Sequence, residues 1–343
     1  MTLEQVARHV GVSAQSVSNA LNNPHRLSPA TRDRILAAVE ELGYHPNRAA
    51  RALRNRSSRL IAVKVEPSRD DRAALLLDQF LHALAEAAGA AGSHLILCQA
   101  DDEAAELRQY RELLDTTSVD AFVLAGTHTA DKRIAALREW GVPFATFGRS
   151  WDDDADLAWV DVDGRAGIRA ATAHVAAQGH TRIAHLGWPG ASETGGDRRR
   201  GWEDACTDLA LPDGLLEETA DDFDAGRAAG HRLLDAGATA LVCASDTLAL
   251  GALRALAERG LRAGPDVAVT GFDNSPAAAL TTPGLTSLRQ PLEQVAHDLV
   301  TAVTASDESS THQTLLAPEL VVRESSLRGP AAHPPHPSPQ DKR

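Results

Sequence analysis

Apolar residues recur at helical spacing over the first forty or so positions, and the rhythm changes after Ser57 and Ser58. Leu3, Val6, Ala7 and Val10 form one apolar face, with Thr2 and Gln5 as a capping box ahead of it and Gly11 as the break behind it. Ser13 stands where it can cap a second helix, Ala14 to Leu21. Ala7, Gly11 and Val17 supply what two helices crossing over a tight turn require: a small residue for close approach, a glycine for the turn and a branched apolar side chain to lock the pair. Ser28, Pro29 and Thr31 open a third helix predicted to reach Leu42 and stop at Gly43. A shorter helical pattern follows, with Asn47 as its cap, Ala50 and Leu53 on one face, and Arg48, Arg51 and Arg54 flanking it. A helix of that length is marginal in water and needs outside support.

Beyond Ser58 short apolar runs alternate with helical patterns. Strands are predicted at Leu60 to Val65, His94 to Cys98, Ala121 to Leu124, Phe144 to Phe147, Trp159 to Val162, Ile183 to Leu186, Ala240 to Cys243 and Val267 to Thr270. Helices are predicted between them at Leu75 to Ala88, Ala104 to Leu114, Arg165 to Ala177 and Leu248 to Arg259. Strand, helix, strand repetition defines an α/β fold with parallel sheets covered on both faces, here preceded by an all-α helix-turn-helix domain. The strands suffice for two sheets, and open parallel sheets bind ligands at the carboxyl ends of their strands, so a cleft between two lobes is the expected site.

Charge separates the two parts. The first sixty residues hold nine arginines against four carboxylates, a balance of +5, whereas the whole chain of 343 residues carries −13. Only the amino-terminal part suits a polyanion, and double-stranded DNA is the expected partner. Cys98, Cys206 and Cys243 are odd in number and widely spaced, so neither a disulfide framework nor a zinc site is expected, and no metal or other cofactor is called for. Asp152, Asp154 and Asp156 imitate alternate calcium ligands, but the loop lacks the glycine and closing glutamate of such a site. No apolar run reaches the roughly 18 residues of a membrane span, and the first residues enter a capped helix instead of a signal peptide, so a cytoplasmic protein is expected. Residues 329–343, GPAAHPPHPSPQDKR, have the composition of a disordered tail.

The run TLEQVARHVGVSAQSVSNALNNPHRLSPATRDRI, followed by GHTRIAHLG, DRRRGW, SDTLALGALRALAERGLRAGPDVAVTGFDN, LTSLRQP and APELVVRESS, resembles the lactose-repressor family of bacterial transcription regulators over residues 2 to 326. The resemblance implies a helix-turn-helix domain at 1–46, a hinge helix and linker at 47–58, and a periplasmic-binding-protein-like (type I) effector-binding and dimerisation core at 59–328. Lobe one would span about 59–159 and 291–305, and lobe two about 160–288 plus the closing segment.

It also implies roles. Ala14, Gln15 and Asn19 would face base edges in the major groove, and Gln15 can pair with adenine or donate to guanine. Ser13, Ser16, Ser18 and Asn22 would meet phosphates. Asn47, Arg48, Ala50, Arg51, Leu53 and Arg54 would sit in the minor groove, with Leu53 as a wedge between base steps. At Asn19 many family members carry arginine. For the effector the resemblance points to Arg149, Arg198, Phe223, Ser245, Asp246, Phe272 and Asp273. The usual Asn-Pro-aromatic segment after the first core strand is replaced by EPSRDDRAALLLDQF, which leaves the contributions of Glu66 and Phe80 open. Trp151, Trp159, Trp188 and Trp202 are candidate stacking platforms, although large aromatics at strand ends are more often core.

The function expected is a homodimeric or tetrameric repressor, released from a pseudo-palindromic operator by a sugar. A purine-like corepressor is the alternative. A sugar-acting enzyme carrying a DNA-binding domain is the rival from another class, but no catalytic triad, carboxylate pair or phosphate loop stands at a workable spacing.

Overall fold

The computed structural model describes residues 2–44, 57–65, 74–152, 154–190, 192–212, 214–305 and 312–328. The chain divides into two compact units, Met1–Ser58 and Arg59–Arg343.

In the first unit three helices surround one small core: α1 (Leu3–Val10), α2 (Ala14–Asn22) and α3 (Pro29–Glu41). The capping box at the start of α1 is reciprocal, with Gln5 N donating to Thr2 Oγ1 at 3.4 Å and Thr2 N donating to Gln5 Oε1 at 2.7 Å. Gly11 terminates α1 with φ of 71°, a left-handed conformation that any side chain would strain, and it sends the chain back across α1. Ser13 caps α2 and Ser28 caps α3, each accepting a bond from the backbone three residues on. Val6, Ala7, Val17, Ala20, Ile35 and Tyr44 fill the interior. Two boundaries differ from expectation: α2 runs one residue past Leu21, and Leu42 is the cap of α3, not its last turn.

The second unit contains two six-stranded sheets. The first has the order β11-β5-β4-β3-β1-β2 and the second β12-β10-β9-β8-β6-β7. The strands are β1 (Leu60–Val65), β2 (His94–Gln99), β3 (Ala121–Ala125), β4 (Phe144–Phe147), β5 (Trp159–Val162), β6 (Ile183–Gly187), β7 (Leu215–Glu218), β8 (Ala240–Cys243), β9 (Ala268–Asp273), β10 (Thr286–Arg289), β11 (Gln313–Leu316) and β12 (Glu319–Val321). Every pairing is parallel except that of β10 with β12. The helix Leu292–Thr304 returns to the first sheet, burying Leu292, Val295, Ala296, Leu299, Val300 and Val303 at alternating three- and four-residue spacing.

Two expectations are corrected. Position 160 was expected to open the second lobe, but β5 pairs with β4 and β11 inside the first sheet, so the chain crosses after Val162. The closing segment serves both lobes, with β11 in the first sheet and β12 in the second. Four strands, β7, β10, β11 and β12, lacked a pattern to betray them. β10 is the instructive case: it is an interior strand, yet its buried Thr286 and Ser287 are polar and survive there because Ser325, Ser326 and Asp246 bond them.

Within the second lobe the helices Gly164–Ala177 and Glu193–Asp208 pack very closely. Gly201 permits this, because a Cβ there would lie 2.1 Å from the Arg165 carbonyl oxygen. The crossing brings the helix Glu193–Asp208, and Arg198 on it, towards the carboxyl ends of the strands.

Candidate functional site

At the ends of β4, β5, β6, β8, β9 and β10 the chain presents Arg149, Asp161, Trp188, Ser245, Asp273 and Gln290 in turn. Arg198 joins them from its helix. It is 6 % exposed, donates from Nη1 to the Ala244 carbonyl at 2.5 Å, and lies over two rings, with its guanidinium carbon 3.7 Å from the Phe272 centroid and 4.7 Å from that of Trp188. Its Nε–H finds no hydrogen-bond partner among the described residues. Burial pulls the Arg198 pKa down, and the field of Asp273, Asp221, Asp161 and Asp197 opposes that pull.

Asp273 accepts from Gln290 Nε2 at 2.7 Å and adopts φ of 106°, a strained backbone for a residue other than glycine. Burial pushes its carboxyl up to about 8, against the lowering effect of Arg198. Asp246 is also buried, and burial raises it to about 6. Both its oxygens are occupied, Oδ2 by Ser275 N at 2.7 Å and Oδ1 by Ser287 Oγ at 2.5 Å, so it ties β8 to β10 instead of offering a free acceptor. Ser245 caps the following helix through Leu248 N and donates to Asp221 Oδ1. Phe272 lies fully buried beneath Arg198. Phe223 is the half-buried first residue of the helix capped by Asp222.

Arg149 links the lobes. Its Nε donates to Asp161 Oδ2 at 2.7 Å within the first lobe, and its Nη2 donates to Asp197 Oδ2 at 3.3 Å on the helix Glu193–Asp208 of the second. A second bridge runs from the Thr129 backbone N to Glu193 Oε1 at 2.8 Å. Arg149 and Arg198 therefore share the carboxylates Asp161 and Asp197, one by contact and the other through their field.

Asp161, Asp197, Asp221 and Gln290 escaped the sequence reading. Each stands at a strand end or helix start, the same topological position that exposed Asp273, and that was the usable signal. Trp188 and Trp151 divide from the other tryptophans: Trp188 covers Arg198, and Arg149 lies 5.2 Å over Trp151, whereas Trp202 is core, stacked on His185 and bonded to the Ile183 carbonyl. Phe80 also belongs to the core, packed on Phe147 at 4.9 Å, and Glu66 lies outside the described residues. Glu103, His128 and Asp131 bring ligand atoms within 4.8 Å of one another, but Asp131 is held by Arg133 and Glu103 by His128.

In the first unit α2 presents Gln15 to solvent, with Ala14 and Asn19 half-buried beside it. Gln15 Nε2 donates to Asn19 Oδ1 at 3.2 Å. Ser13 and Ser16 lie near the start of α2, with their hydroxyls 2.9 Å apart. Ser18 is a correction: at 6 % exposed it turns into the unit and is not available to a phosphate. The Asn22 side chain, the hinge residues Asn47, Arg48, Ala50, Arg51, Leu53 and Arg54, and the tail at 329–343 lie outside the described residues.

A capped helix-turn-helix unit followed by a two-lobed, doubly wound binding core defines the class of ligand-responsive DNA-binding regulators. Residues 2–47 match the description "Bacterial regulatory proteins, lacI family", and residues 172–326 match "Periplasmic binding protein-like domain". The chain is 35% identical to an uncharacterized HTH-type transcriptional regulator in the aml 5′ region of Streptomyces limosus, over 95% of this chain and 94% of that protein. It is 33% identical to the HTH-type transcriptional regulator CelR of Thermobifida fusca, over 94% and 98%. Among solved structures, the lac repressor dimer bound to operator and the anti-inducer ONPF superposes with a TM-score of 0.81 at 27% identity, covering 95% of this chain and 99% of that one. A CelR–cellobiose complex superposes at 0.70 with 30% identity, over 95% and 99%. The chain belongs to the lacI family of bacterial regulatory proteins and is a transcriptional regulator, not an enzyme.

Proposed function

We propose that this regulator is a homodimeric repressor that holds a pseudo-palindromic operator until a neutral sugar binds between its lobes. The observation that carries the ligand class is the environment of Arg198. Its buried guanidinium has an Nε–H without a hydrogen-bond partner among the described residues and lies in the field of Asp273, Asp221, Asp161 and Asp197. Donors and acceptors set side by side suit adjacent hydroxyl groups, while the carboxylates of Asp221, Asp161 and Asp197 oppose phosphorylated or carboxylated ligands. The cellobiose complex of CelR supports a saccharide.

The first unit would read the operator through Gln15 and Asn19 in the major groove, with Ala14 beside them and Ser13 and Ser16 against phosphates. The segment 47–58 would form the hinge, with Leu53 wedged into the minor groove and the flanking arginines on the backbone. A change in the angle between the lobes would alter the spacing of two such hinges, and linkage requires operator DNA to weaken the sugar by the same factor that the sugar weakens DNA. A cytoplasmic location follows from this role.

Fluorescence anisotropy on a fragment from the promoter beside the protein's own gene, at fixed salt, tests the reading. A panel of mono- and disaccharides, their phosphates and purines is added in turn. At least one neutral sugar is expected to weaken binding tenfold or more, about 1.4 kcal/mol of coupling. A purine that tightens binding would make the protein a corepressed regulator and sink the sugar assignment.

A further inference from the structure

We infer that Asn19 acts as a positioning residue for Gln15, and that the pair reads adenine in preference to guanine. This rests on the operator-binding reading above and goes one step beyond it, from which residue faces the bases to which base it selects.

Gln15 and Asn19 stand four residues apart on α2, on the same face. The Gln15 side chain is exposed, and its Nε2 donates to Asn19 Oδ1 at 3.2 Å. A primary amide has two N–H donors and one oxygen. With one N–H committed to Asn19, Gln15 retains one donor and one acceptor.

That remainder decides the base. The major-groove edge of adenine offers an acceptor at N7 and a donor at N6, which one N–H and one carbonyl oxygen satisfy together. Guanine offers acceptors at both N7 and O6, so a bidentate contact needs two donors. The second donor is already spent on Asn19, and the Gln15 oxygen would face O6 with nothing to share. Thymine and cytosine each present a single polar group on this edge. Only adenine is met at two points. The bond to Asn19 also removes rotamer freedom from a long side chain before DNA arrives, so less entropy is lost on contact.

The experiment uses the full-length protein. Selection from a randomised duplex pool defines the half-site, and anisotropy then compares four duplexes differing at one base pair, the one whose discrimination Gln15→Ala abolishes. Wild type is expected to favour adenine over guanine there by tenfold or more. Asn19→Asp keeps the acceptor and should retain the ranking, although its charge lowers affinity for all four duplexes. Asn19→Leu keeps the bulk but lacks the acceptor and should lower the adenine-to-guanine ratio at least threefold. Thermal melting reports whether each variant is folded. A wild-type preference for guanine overturns the inference, as does an unchanged ratio in Asn19→Leu. If selection enriches no sequence, the operator reading fails and the adenine assignment falls with it.

Discussion

The Arg198 guanidinium carbon lies 3.7 Å from the centroid of the Phe272 ring, and among the described residues no carboxylate forms an ion pair with it, its acceptor being the Ala244 carbonyl. A cation held over two ring faces and by one carbonyl oxygen is desolvated yet underbonded among the described residues. Such a group is costly to the folded protein and useful to a ligand that supplies the missing acceptor.

Arg198→Met follows directly from that arrangement. The thioether packs against Phe272 and Trp188 without a charge, so the melting temperature is expected to hold or rise. Calorimetric affinity for the effector sugar should fall at least tenfold, while operator affinity in the absence of sugar stays within twofold. A variant that keeps full sugar affinity would remove Arg198 from the site.

The Asp273 carboxyl predicts a pH dependence with a definite sign. Its folded value is raised to about 8 from an ordinary 3.8, chiefly by burial. The unfolded chain therefore loses this proton at lower pH than the folded chain does. Stability from this group is fully present below about 4 and declines as pH rises towards 8. Asp273→Asn stays neutral throughout, so urea midpoints of wild type and variant should diverge as pH rises from 4 to 8, with wild type falling. Parallel curves would mean that Asp273 is already ionised at acid pH.

Arg133 has the opposite character. Its Nε and Nη2 grip both oxygens of Asp131 at 2.9 and 2.6 Å, Nη1 reaches Glu106 at 3.1 Å, and the Ala125 and Gly126 carbonyls accept from it. Glu106 is further held by Lys64 Nζ at 3.1 Å and by the Tyr110 hydroxyl. The network clamps the turn after β3 beneath Thr129, the residue that bridges to Glu193. Arg133→Ala leaves two buried carboxylates underpaired and is expected to cost about 3–5 kcal/mol in equilibrium denaturation. A loss below about 1 kcal/mol would mean that the clamp is dispensable.

Much of this was legible without coordinates. Caps and helix faces arise from contacts three and four residues apart, so Thr2, Gln5, Ser13 and Ser28 declare their helices in the local order of residues alone. A five-residue apolar run such as that of β3 likewise declares a buried parallel strand. Of the candidate site residues, Asp273 was marked by its place after a predicted strand as well as by resemblance, whereas Arg198 was legible only through resemblance, because nothing in the string DRRRGW says which of three arginines turns inward.

What the sequence by itself determined is therefore the class: a capped, arginine-bearing helical unit ahead of an acidic, alternating α/β core. What only the tertiary structure decided is membership and pairing. β5 joins the first sheet and not the second, Ser18 faces the interior, the polar Thr286 and Ser287 are buried in an interior strand, and Arg198 is the arginine that lies over the Phe272 and Trp188 rings. The physical reason is range. Periodicity and capping are settled within one turn of backbone, whereas the cost of burying a polar or charged group depends on partners as far apart in sequence as His174 and Ser326, and no local pattern encodes who they are.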